Sequence, residues 1–116
     1  MKIAIVGSRR RVDRKSILDL VDSLSLDDII VSGGCKGVDT WAEQRAKERG
    51  LQTLIYKPNL KACKLYCQYV DAYYARNKQI AEVADIVYAF VSPDRTGGTE
   101  NTIKYAEALG KKIVIL

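Results

Sequence analysis

The sequence predicts an α/β domain in three layers: a parallel sheet of five strands in the order 3-2-1-4-5, with helices on both faces. Three observations carry that expectation. Five short runs rich in β-branched residues alternate with longer segments whose apolar residues recur at helical spacing. Consecutive parallel strands need right-handed crossovers, which put the helices on both sides of the sheet. The runs Lys2 to Val6 and Asp85 to Val91 are the most continuously apolar, as central strands buried on both faces require, so the switch point falls between strands one and four.

Strand one, Lys2 to Val6, closes at Gly7-Ser8, and the turn beyond it holds Arg9, Arg10, Arg11, Arg14 and Lys15. Cations at a helix start oppose the helix dipole, so this placement points to an anionic partner. Ile17, Leu18, Leu20, Val21 and Leu24 give the first helix an apolar stripe that ends in Ser25 to Asp28. Strand two is Ile29 to Ser32. After Gly33-Gly34, the positions Val38, Trp41, Ala42 and Ala46 trace a helix to about Arg49, where Gly50 stops it. Strand three, Leu51 to Tyr56, breaks at Lys57-Pro58-Asn59.

Leu60 to Ala84 contains no glycine or proline and reads as one long helix or two abutting ones. Cys63, Cys67, Val70 and Tyr74 form one stripe; Tyr66, Tyr69 and Tyr73 form another. That stretch is too aromatic for a solvated face, so the tyrosines are expected to pack against the sheet or against a second copy in a homodimer, with base stacking as the alternative. Strand four, Asp85 to Val91, empties into a turn containing Gly97-Gly98-Thr99. The last helix turns Ile103, Ala106 and Leu109 inward, stops at Gly110 and yields to strand five, Ile113 to Leu116.

A length of 116 residues with 47% hydrophobic content suits one domain, residues 1–116. No run approaches membrane-spanning length, and Met1-Lys2 leads straight into a strand, which is not the pattern of a signal peptide. Three scattered cysteines fit reduced thiols in a cytoplasmic setting, with Cys63 and Cys67 read as small buried hydrophobes. The chain has no histidine, which removes Ser-His-Asp and Cys-His nucleophile systems and His-based zinc hydrolases; no metal and no cofactor are expected. The net charge of +5 fits a polyanion or a phosphorylated small molecule.

Strand, paired glycines and helix start occur together twice, at Ser32-Gly33-Gly34 and at Gly97-Gly98-Thr99. Glycines admit a bound group close to the backbone, and a helix start aims N–H groups and a positive dipole end at it, which suits an anion, most often phosphate. The plainer reading is that these are short βα turns. In the order 3-2-1-4-5 the turns after strands one, two and four converge on one pocket. G-x-G-x-x-G is missing, strand two ends without an acidic residue, and no G-K-[ST] follows the glycines, so neither a dinucleotide fingerprint nor a P-loop is present.

Gly7-Ser8-Arg9, Ser32-Gly33-Gly34-Cys35-Lys36-Gly37-Val38-Asp39, Arg76-Asn77-Lys78-Gln79-Ile80 and Gly97-Gly98-Thr99, in that order, resemble the SLOG superfamily of Rossmann-like domains. That superfamily includes the DNA-processing protein A family, which binds single-stranded DNA, the Lonely Guy phosphoribohydrolases, and small stand-alone domains that bind nucleotides or nucleotide-derived signals; this chain is most similar to the last. The resemblance implies that Gly7, Ser8, Arg9, Ser32, Gly33, Gly34, Gly97, Gly98 and Thr99 surround a nucleotide's phosphate and ribose, with Asp39 beside the pocket and Arg76 and Asn77 at its rim. Similarity to the Lonely Guy enzymes would make Arg76 and Glu100 catalytic in N-glycosidic cleavage of a nucleoside monophosphate. Glu100 follows Thr99 directly, about half a helical turn earlier than in that motif. The expected partner is a nucleotide or nucleotide-derived molecule; hydrolysis and single-stranded nucleic-acid binding are the alternatives.

Overall fold

The computed structural model describes all residues, Met1 to Leu116. Side-chain alternation along β1 (Lys2–Gly7) decides how its layers form. Ile3 and Ile5 face one side of the sheet and Ala4 and Val6 the other, and all four are buried. β2 (Ile29–Ser32) and β4 (Ile86–Phe90) flank β1 in parallel, β3 (Gln52–Ile55) pairs with β2, and β5 (Lys112–Ile115) pairs with β4. The order is therefore 3-2-1-4-5, the Rossmann-like arrangement the sequence predicts.

On one face, α1 (Arg14–Asp22) and α2 (Val38–Glu48) bury Ile17, Val21, Val38, Ala42 and Ala46 against Ile3, Ile5, Ile30 and Phe90. On the other, α3 (Tyr66–Val83) and α4 (Gly98–Ala108) meet Ala4, Val6, Val31, Val87 and Ala89. Their contribution is small side chains, Ala81, Ala84 and Ala106, beside Ile80 and Ile103. Each fully buried Val, Ile or Phe side chain contributes roughly 1.5–3 kcal/mol, and the alanines less. A Cβ on Gly7 would lie 2.5 Å from a Val38 methyl, so that glycine exists for strand-to-helix packing.

Several sequence expectations are corrected. The helix expected from Leu60 begins only at Tyr66, because the polar groups of the preceding stretch satisfy one another as a loop. Asn59 Oδ1 accepts the Lys61 amide at 3.3 Å, and Gln68 Oε1 accepts the Lys64 and Leu65 amides at 2.6 and 3.0 Å, capping α3 in place. Cys63 consequently lies in that loop, and Cys67 is exposed, so neither is a buried hydrophobe. Leu109, expected to face inward, is 48% exposed; it is the C-cap of α4, where the chain already turns toward Gly110 at φ +70°. Of the tyrosine-rich face, Tyr66, Tyr69 and Tyr74 are exposed rather than packed on the sheet. No helix is long and apolar enough to cross a membrane.

Candidate functional site

Because the chain reverses its direction of travel at β1 and β4, the loops leaving their carboxyl ends part and open a crevice. A cleft of about 640 Å³ occupies it. Three loops and one helix line this cleft: Gly7, Ser8 and Arg9 after β1, Cys35 and Asp39 from the β2–α2 turn, Gly97, Gly98 and Thr99 at the start of α4, and Arg76 and Asn77 on α3. The turns expected to converge therefore do so. Tyr66, Tyr69, Tyr73 and Tyr74 form the α3 wall. Gly33 and Gly34 border a neighbouring hollow of about 430 Å³, which shares Arg9, Cys35, Tyr73 and Arg76 with the cleft.

The β2–α2 turn already holds an anion, and it is the protein's own. Asp39 is 6% exposed, and its Oδ2 accepts the Gly33 amide at 3.1 Å and the Cys35 amide at 3.3 Å. Burial pushes this carboxyl up to about 6, against the Cys35 amide, the nearby Arg76 guanidinium and the Gly33 amide, all of which favour the charged form. Gly33 was expected to make room for a bound group. A Cβ there would instead lie 2.5 Å from Arg76 Nη1, so the residue it makes room for is Arg76. That guanidinium is 7% exposed, donates to the Gly33 carbonyl at 2.7 Å and to Asn77 Oδ1 at 2.9 Å, and lies 5.5 Å from the Tyr73 ring centroid. Asn77 passes the connection on, donating to Asn101 Oδ1 at 3.0 Å and to the Gly98 carbonyl at 3.3 Å. Arg76 and Asn77 thus brace the two glycine turns against each other. Ser32 is fully buried and donates to Glu43 at 2.9 Å, outside the cleft.

The start of α4 opens on the cleft: Gly97 sits at φ +100°, and no side chain caps this helix, as none caps α2. Glu100, in that turn, does not face the cleft; both its oxygens take the Arg95 guanidinium at 2.9–3.0 Å. Asp39 is the one carboxylate lining the cleft. The arginine run also divides. Arg11 donates to the Val91 and Leu116 carbonyls at 3.0 and 2.8 Å, pairs with Asp13 at 2.6 Å and lies over Phe90, which makes it a fastener of the sheet's far edge. Arg10 pairs with Asp94. Arg9 has no carboxylate partner and lies beside Cys35 and Tyr73 at the cleft mouth.

A model of the YspA, cpYpsA-related SLOG family (YAcAr) matches residues 1–62 of the 116. The chain belongs to that family. This SLOG domain also superposes on the X-ray structure of DNA processing protein A from Streptococcus pneumoniae, with a TM-score of 0.81 and 23% identity. The match covers 98% of the SLOG chain and 49% of the other, so it spans about half of that structure's length and establishes a shared fold. No curated protein matches the sequence. The tyrosines were visible in the sequence and read first as packing, with base stacking as the alternative; Lys36 and Lys57, which border the hollow beside the cleft, were not singled out. Both lysines follow carboxyl ends of strands, and that position was the available signal.

Proposed function

We propose that this SLOG domain binds a phosphorylated nucleotide or nucleotide-derived ligand in the cleft between β1 and β4. The observation that carries the reading is one cleft with two unlike walls: four tyrosines on α3 face an uncapped helix start and an unpaired arginine. A base stacks on aromatic faces at about 1–3 kcal/mol per base, and a phosphate suits amides at a helix N-terminus together with a guanidinium. The size also agrees, since small-ligand sites span roughly 300–1,000 Å³. In this reading the tyrosines serve the ligand rather than a subunit contact, Arg9 meets the phosphate, and Arg76 with Asn77 holds the site's shape. The geometry around Glu100 favours binding over hydrolysis, because its carboxylate is engaged by Arg95.

Thermal unfolding in the presence of mononucleotides and ADP-ribose-type compounds tests the reading. A ligand at a hundredfold excess over its Kd stabilises by about 2.7 kcal/mol, which is a readily measured rise in Tm. Arg9→Ala and Tyr73→Ala are each expected to abolish most of that rise. A panel that leaves Tm unchanged at millimolar concentration would refute the proposal.

A further inference from the structure

The hollow beside the cleft has a composition that ligand binding in the cleft alone does not explain. Arg9, Lys36, Lys57 and Arg76 border its volume of about 430 Å³, and no carboxylate does. Lys36 and Lys57 are exposed and make no hydrogen bond or ion pair within the protein. Arg76 faces Asp39, but Arg9, Lys36 and Lys57 have no carboxylate partner, and their common field attracts a negative group. Lys57 precedes Pro58, which disfavours helical backbone at the lysine. Gly34, at φ +71°, lies beside the Lys57 side chain; a Cβ there would meet Ile55 Cγ2 at 3.2 Å and Lys57 Cε at 3.4 Å. The hollow and the cleft are not separate sites, since Arg9, Cys35, Tyr73 and Arg76 border both.

Building on the nucleotide reading above, we propose that the ligand carries two anionic groups separated by a nucleoside. One sits at the start of α4 with the base against the tyrosines; the other passes the Arg9 and Tyr73 divide and lies between Lys36 and Lys57. A phosphorylated dinucleotide has this chemistry, either as a free molecule or as part of a single strand. A mononucleotide reaches one lobe only.

Isothermal titration at low salt with AMP, pApA and a longer oligodeoxyadenylate tests this, with TMP and pTpT in parallel so that base choice does not decide the outcome. A charge-assisted phosphate contact makes pApA bind about tenfold or more tightly than AMP, with a steeper loss of affinity as salt rises. The double variant Lys36→Ala, Lys57→Ala removes that advantage, leaves AMP affinity within about twofold, and keeps the wild-type Tm because both side chains are exposed and unbonded. Oligodeoxyadenylate binding at least as tightly as pApA assigns the ligand to single strands; markedly weaker binding assigns it to free dinucleotides. Equal affinity for AMP and pApA, or pApA binding indifferent to the lysine variant, overturns the second anionic subsite while the nucleotide reading stands. Failure of AMP, pApA, TMP and pTpT alike to bind overturns this proposal, whereas the nucleotide reading falls only if the wider ligand panel also leaves Tm unchanged.

Discussion

Arg9, Arg10 and Arg11 are chemically identical neighbours with three different environments. Arg11 is half-buried, stacked over Phe90, and bonded to two main-chain carbonyls that no other side chain reaches. Its bidentate contact is also what holds the Asp13 carboxyl down to about 2. Arg10 and Asp94 are both well exposed, and such pairs contribute between nothing and about 1 kcal/mol. Arg9 is exposed and unpaired, so removing it costs the fold little. Urea unfolding should therefore rank the alanine variants. Arg11→Ala is expected to lose about 2 kcal/mol, because the Val91 carbonyl and the Asp13 carboxylate lose this donor and the Leu116 oxygen keeps only the longer bond from the Val91 amide, whereas Arg9→Ala stays within about 0.5 kcal/mol of wild type. Comparable losses from both would show that Arg9 also serves the fold and weaken its assignment to the ligand.

At the scale of elements, the glycine turns show what a linear sequence conveys and what it withholds. The five strands and their order were legible, because β-branched runs alternating with helical stripes admit few topologies. The start of α3 was not, since its boundary is set by Gln68 reaching back to two amides, a local polar preference invisible to apolar spacing. Nor was the purpose of Gly33. A glycine that admits a ligand and a glycine that admits the protein's own guanidinium are the same letter, and Arg76 arrives from 43 residues away. A double-mutant cycle separates the two. Gly33→Ala should destabilise by about 1–3 kcal/mol in the wild-type background, because the methyl displaces Arg76 from the Gly33 carbonyl. In the Arg76→Ala background the Asp39 Oδ2 contact at 3.1 Å remains, and the same substitution should cost less, a coupling of about 1 kcal/mol or more. Additive losses would mean that the crowding at Gly33 lies elsewhere.

For the molecule as a whole, topology located the cleft before any residue of it was interpreted, since the β1–β4 crevice gathers loops from both halves of the sheet. The resemblance put Asp39 beside the pocket, but the letters could not convey how deeply it is held: folding buries it under Gly33, facing Arg76 from α3 and Glu43 from its own helix. A carboxyl raised from 3.8 to about 6 binds a proton more readily folded than unfolded. Its contribution is therefore fully present below pH 4 and lost as pH rises through 6, worth up to roughly 3 kcal/mol in total. The carboxyls held low by arginines, Asp13 and Asp22 among them, act in the opposite direction but only as pH falls below their unfolded values near 4. The window between about pH 4.5 and 6.5 thus belongs to Asp39. Wild-type protein should be more stable at pH 5 than at pH 7.5. Asp39→Asn should remove that slope, because both amide bonds reach a single oxygen that asparagine retains. Urea midpoints for the two proteins at both pH values decide the matter. A wild type whose stability is flat or rises across this window would mean that Asp39 stays ionised in the fold, held there by Arg76 more strongly than burial opposes it.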